Sequence, residues 1–128
     1  MEFLLDSHTL IWAVDDPTKL SRTVETLILD PNNVRLLSPA TYWEMAIKVA
    51  LRKLPLSMPY RPWMEKAMTD LRLDILPITL DHTERVTTLP FHHKDPFDRM
   101  LAAQSLTGGI PLLSGDVVFD AYGVNRVW

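Results

Sequence analysis

The sequence predicts an α/β fold, a central, mainly parallel sheet flanked by helices on both faces. Two observations carry that expectation. Short strand-like apolar runs at residues 2–5, 34–37, 74–78 and 110–113 alternate with longer stretches of helical period. Parallel neighbours need a crossover between them, so strands separated by helices are the trace such a sheet leaves in a sequence. The length of 128 residues sets the scale: a single domain, residues 1–128, able to bury one core without disulfides or structural metal.

Glu2-Phe3-Leu4-Leu5 is a buried strand ended by Asp6 and Ser7, and Thr9, Leu10, Trp12 and Ala13 then suggest a helix. Asp15-Asp16-Pro17 is a turn, and residues 20–29 form a second helix closed by Asp30-Pro31-Asn32-Asn33. After the strand at 34–37, Ser38-Pro39 supplies a cap and a proline at the first helical position. Trp43, Ala46, Ile47, Ala50 and Leu51 fall on one apolar face of the helix that follows. Residues 51–62, with three prolines, read as an irregular connection, and 63–73 as a helix with Trp63, Ala67 and Leu71 on one stripe. A strand at 74–78 leads to Thr79, the cap of a helix running through Val86 and ended by Leu89-Pro90. Asp95 caps the next helix and Pro96 opens it, with Phe97, Met100, Leu101 and Gln104 facing inward and Gly108-Gly109 stopping it. The strand at 110–113 ends in the turn Ser114-Gly115-Asp116, a short helix occupies 117–122, and 124–128 adds an edge strand.

Composition excludes several classes of function. Hydrophobic residues make up 47% and charged residues 23%, ordinary for a globular chain and unlike a disordered or fibrous one. With no cysteine, disulfides, zinc–thiolate sites and thiol nucleophiles are ruled out, and a cytoplasmic location is expected. No apolar run approaches the roughly 20 residues that span a bilayer, so no membrane association is expected. A net charge of -3 gives no overall field that would draw in nucleic acid. Any polyanion must be held locally.

Three carboxylates, Asp6, Glu44 and Asp116, follow strand-like runs, at the strand's end or within the first turns of the next helix, and Asp98, in the first turn of the helix opened by Asp95 and Pro96, makes a fourth that can converge with them. Each has an ordinary reading. Asp6, Asp98 and Asp116 can act as helix caps or first-turn acids, and Glu44 can pair with Lys48 one turn on. Their shared position points further, because ligands of open parallel sheets bind outside the carboxyl ends of the strands. Carboxylates brought that close repel one another unless a divalent cation neutralises them. Asp95 is read as a cap alone. Lys48, Arg52, Lys53, Arg61 and Lys66 make the densest positive region, either a contact for a phosphate backbone or an ordinary solvated face. A magnesium-type site suits phosphodiester hydrolysis, whereas no glycine-rich phosphate loop, Gly-x-Ser-x-Gly elbow or His-Glu-x-x-His pair is present.

Leu4-Leu5-Asp6-Ser7-His8-Thr9-Leu10-Ile11-Trp12, Ser38 to Lys48, His93-Lys94-Asp95-Pro96-Phe97-Asp98-Arg99 and Leu113-Ser114-Gly115-Asp116-Val117-Val118-Phe119 resemble the four signature segments of PIN-domain ribonucleases, in the family's order. Within that family the likeness is to the VapC-like toxins of bacterial toxin–antitoxin pairs. The resemblance implies a PIN-like three-layer fold and a metal-dependent ribonuclease. It implies that Asp6, Glu44, Asp98 and Asp116 bind Mg2+ or Mn2+ and carry catalysis, with Ser114, Thr9 and Lys48 in support. It also implies an RNA substrate, a homodimer, and a cognate antitoxin whose tail offers a cationic side chain to the acidic groove. Arg99 is expected to be structural, and His92 and His93 to be loop or substrate-facing residues. Two rivals stand beside this reading: a catalytically silent PIN-fold binding module, and a magnesium-binding phosphoacceptor signalling domain. The second lacks an acidic pair after strand one and a lysine after strand four.

Overall fold

Strand β1 (Glu2–Leu5) lies at the centre of the sheet in the computed structural model, which describes residues 1–128. On one side it pairs with β2 (Val34–Leu37) and through it with β3 (Leu73–Ile75); on the other it pairs with β4 (Leu112–Leu113) and β5 (Arg126–Val127). The order is β3-β2-β1-β4-β5 and every pairing is parallel, as the alternation of elements predicts. Leu4 stands opposite Leu36 and Leu112, and Leu5 opposite Leu113.

Alternate strand residues enter different cores, because successive side chains of a strand point to opposite faces. Phe3, Leu5, Leu37 and Leu113 join one apolar cluster, and Leu4, Leu36 and Leu112 join the other. The first cluster is covered by α1 (Ser7–Asp15), α2 (Arg22–Leu29), α3 (Pro39–Ala50) and α4 (Tyr60–Asp70), which contribute Leu10, Val24, Ile28, Met45 and Trp63. The second is covered by α5 (Leu80–Thr88), α6 (Pro96–Gly108) and α7 (Val118–Ala121), through residues that include Leu101, Ala102 and Phe119. The result is three layers, helix on sheet on helix. No helix is long and apolar enough to cross a membrane.

Several boundaries differ from the sequence expectations, each for a local reason. The second helix starts at Arg22 rather than Leu20, because Ser21 is the cap and accepts the Val24 N–H at 3.1 Å. Helix α4 begins at Tyr60 with Pro62 inside its first turn, where a missing N–H breaks no helical bond. It ends by Asp70, since Arg72 takes a left-handed conformation (φ 49°) that turns the chain into β3. Strand β3 therefore runs from Leu73 to Ile75 instead of 74–78, and Pro77 has no donor with which to extend it. The carbonyls of Leu76 and Pro77 accept instead from Gln104 Nε2. Helix α5 runs to Thr88, past Val86, and β4, α7 and β5 are all shorter than expected.

Helix α3 differs in which side it buries. The stripe of Trp43, Ala46, Ile47, Ala50 and Leu51 is not the inner face: Trp43 is 62% and Leu51 58% exposed. Ala40, Thr41, Glu44 and Met45 are buried instead. Met45 fills the first core while Trp43 stays at the surface, edge-on to Phe97 of α6 with ring centroids 5.3 Å apart. This rotation carries Glu44 inward.

Trp63 joins three segments. Its ring is fully buried, and its Nε1 donates to Asp15 Oδ1 at 3.0 Å, an oxygen that also accepts from Ser57 Oγ at 2.6 Å. Burial works against ionisation of Asp15, but the donors Ser57 and Trp63 outweigh it and hold the carboxyl below its ordinary value. Trp63→Ala is expected to lower stability by about 3–5 kcal/mol in urea unfolding. Trp63→Phe, which keeps packing but loses the N–H, should fall between that variant and the wild type.

Candidate active site

Asp6 sits where β1 ends and α1 begins, and is 5% exposed. Its Oδ1 accepts the Thr9 N–H at 2.8 Å, which makes it the helix cap, and its Oδ2 accepts from the hydroxyl of Ser114 beyond β4. Thr9 Oγ1 donates to the Leu113 carbonyl at 2.9 Å, so the start of α1 is latched to the neighbouring strand. Ser114 Oγ in turn accepts the Asp116 N–H at 3.0 Å. The Asp116 carboxylate is exposed and accepts the Val118 N–H at 3.0 Å. Asp6 and Asp116 share one hollow, at the point where the strand order turns back between β1 and β4.

A second acidic group forms where α3 meets α6. Glu44, Asp95 and Asp98 each present a carboxylate oxygen, all within 4.8 Å of one another. Glu44 is 5% exposed, and its partner is Lys48, with Nζ 3.5 Å away. Asp95 caps α6, its Oδ1 accepting from the N–H groups of Phe97 (2.9 Å) and Asp98 (3.0 Å). The four acids singled out from the sequence thus fall into two pairs, Asp6 with Asp116 and Glu44 with Asp98.

Sequence reasoning missed two members of this neighbourhood. Asp95 was expected only to cap, yet it stands in the acidic group as well; cap and third helical residue are neighbours in a capping box, and that geometry was the available signal. His93 contacts Asp98, Nε2 to Oδ2 at 3.2 Å, while its Nδ1 lies 2.8 Å from the Tyr122 hydroxyl. No sequence pattern announces that contact. Arg99 is structural, as expected: it is buried, its guanidinium donates to the carbonyls of Pro90, Leu89 and Val86, and it lies 4.0 Å from the centre of the Phe91 ring. Within the basic stretch, Arg61 and Lys66 pair with Glu65 and Asp70 on the outer face of α4.

The electrostatics of the group are strained in one direction. Burial, then the charge of Asp95 and more weakly that of Glu44, push the Asp98 carboxyl up to about 6, against a smaller lowering by His93. Three carboxylates converging with one lysine beside them are what a cation would relieve. The donors are all hard oxygens, suited to a Mg2+- or Mn2+-type ion rather than to a thiophilic metal.

A family model for the PIN domain matches residues 3–125. The chain belongs to the PIN-domain family. Several solved structures share its fold. VapBC2 of Rickettsia felis, bound to a DNA fragment from its promoter, superposes with a TM-score of 0.75 at 14% identity, covering 100% of this chain and 99% of that one. VapBC-1 of nontypeable Haemophilus influenzae gives 0.68 at 19% identity, covering 99% and 97%. VapBC-5 of Mycobacterium tuberculosis gives 0.61 at 18% identity, covering 98% and 95%. No curated protein sequence matches the chain. The match confirms the α/β PIN-like architecture, and nucleases are general in the family.

A carboxyl whose folded value exceeds its unfolded value near 3.8 favours folding only while protonated. The contribution of Asp98 to the stability of the metal-free PIN domain is therefore fully present below about pH 4 and is lost as pH rises through about 6. Asp98→Asn should remove that penalty, raising metal-free stability at pH 7.5 by on the order of 2 kcal/mol. The gain should fade toward pH 4. Thermal unfolding in EDTA across this range checks it, and identical melting of the two proteins at pH 7.5 would refute it.

Proposed function

We propose that residues 1–128 form a single PIN-like unit acting as a metal-dependent endoribonuclease, the toxin of a toxin–antitoxin pair. The observation that carries the proposal is the convergence of Glu44, Asp95 and Asp98 within 4.8 Å. Beside it, Asp6 and Asp116 share a hollow at the sheet's carboxyl edge. In this reading Asp6, Glu44, Asp98 and Asp116 hold Mg2+ or Mn2+, with Asp95 lending its charge. The cation, when bound, supplies Lewis-acid stabilisation to the phosphodiester under attack. Ser114 and Thr9 fix the carboxylate of Asp6 through its two oxygens, so that it does not have to reorganise during the reaction. Lys48 holds Glu44, and His93 steadies Asp98 while linking it to Tyr122.

Likeness to VapBC complexes supports a cognate antitoxin as partner; a homodimer as the working form and a cytoplasmic site of action complete the proposal. An arginine or lysine of the antitoxin entering the acidic group would take the cation's place electrostatically, so antitoxin and metal should compete.

Cleavage of short single-stranded RNA with and without Mg2+ tests this reading. Asp6→Asn and Asp98→Asn should each lose roughly 100-fold or more in rate, the loss of about 3 kcal/mol of transition-state stabilisation. RNA cut equally well by the variants, or equally well in EDTA, would remove the mechanism. Ser114→Ala should weaken cleavage less, about tenfold, because it loosens Asp6 without removing its charge.

A further inference from the structure

The hollow shared by Asp6 and Asp116 has a volume of about 530 Å³, within the range of small-ligand clefts. The two acids make only part of its wall. The remainder is aromatic and basic: His8 and Trp12 from α1, Lys19 from the turn after α1, and Trp128 following β5. The rings run in a chain, with centroids 5.7 Å apart from His8 to Trp12 and 5.8 Å from Trp12 to Trp128. They are tilted by 44° and 59° rather than stacked face to face on one another. Both tryptophans are only half-buried. Gly115 permits the placement of Trp128, since a Cβ at that position would lie 3.2 Å from the indole. Lys19 is held only by a 3.9 Å contact with Asp16 between two exposed side chains, a pair weak enough to be given up for a phosphate.

We infer that this hollow is a nucleobase subsite: one unpaired base of a single-stranded RNA lodges against Trp12 and Trp128 while Lys19 takes an adjoining phosphate. The inference rests on the ribonuclease reading and adds to it the place where one base of the strand is held. Aromatic faces bind any base through its π-surface, at roughly ten- to a hundredfold in affinity per base. Bases inside a duplex are already stacked and cannot enter such a hollow. The hollow places the base directly beside two of the four acids, so the ring that is gripped and the phosphodiester that is cut would be close neighbours along the strand. A second aromatic hollow, around Trp43, Phe91 and Phe97, contains none of the four acids and lacks that link.

The test uses the full chain with hexamers of adenylate and of uridylate, and with a duplex of mixed sequence. Cleavage in Mg2+ gives KM and kcat; anisotropy of a labelled hexamer on the Asp98→Asn background gives binding. Trp12→Ala should raise KM and Kd tenfold or more while changing kcat much less. Trp12→Phe, which keeps a ring, should recover most of the affinity. Lys19→Ala should flatten the salt dependence of binding by about one phosphate contact. The wild type should prefer the hexamers to the duplex, and Trp12→Ala should erase that preference. If Trp12→Ala fails to fold, Trp12→Leu keeps apolar volume without an aromatic face and should show the same loss. RNA cut by wild type and Trp12→Ala with equal KM overturns the subsite and leaves the ribonuclease reading standing. RNA that is bound through Trp12 but not cut overturns the ribonuclease reading and keeps the subsite. RNA neither cut nor bound overturns both.

Discussion

Negative charge gathered at one edge of a parallel sheet is the constraint around which this molecule is arranged. Oxygens of Glu44, Asp95 and Asp98 lie within 4.8 Å of one another, and burial with like-charge neighbours lifts Asp98 to about 6. Such a group stays in place only because each acid is held by something the fold supplies. Asp95 takes two amide N–H groups at the start of α6, Asp6 takes an amide and a hydroxyl, and Glu44 takes the ammonium of Lys48. Donors to ionised groups are among the stronger hydrogen bonds a protein makes, and here they are spent on groups that repel one another.

The sheet decides where those donors can stand. Because β1 lies between β2 and β4, its carboxyl end faces elements from both halves of the chain. Thr9 and Ser114 close the gap from either side, one donating to the Leu113 carbonyl and the other to Asp6. Two apolar cores grip β1 through alternate residues, Phe3 and Leu5 on one face and Leu4 on the other, so that the strand leading into Asp6 is anchored on both faces. A polar site at a rigid edge is a common solution for enzymes built on parallel sheets, since the scaffold need not move to keep the groups in register.

The architecture was legible because strand and helix alternate, and an alternating order leaves few ways to pair strands. Asp6, Asp98 and Asp116 were legible as strand-end or helix-start acids for the same reason. What could not be read was orientation. In α3 the apolar pattern named Trp43, Ile47 and Leu51, whereas the inner face belongs to Thr41, Glu44 and Met45. A helix with apolar residues on more than one side has its rotation set by its neighbours, here α6 with Phe97. Asp95 escaped notice as a site residue because capping already accounted for it. The contact of His93 with Tyr122, separated by 29 positions, has no local signature at all.

Arg99 gives these arrangements a mechanical side. Its guanidinium rises from α6 and ties down the carbonyls of Val86, Leu89 and Pro90, with Phe91 laid across it. The segment so pinned leads directly to His93, while the helix that pins it bears Asp98 one residue before the arginine. Histidine and aspartate are thereby mounted on one bracket. Any shift of α6 moves them together, so their contact should survive small displacements of the helix and be lost only when the bracket itself comes undone, in a single cooperative step rather than by gradual loosening.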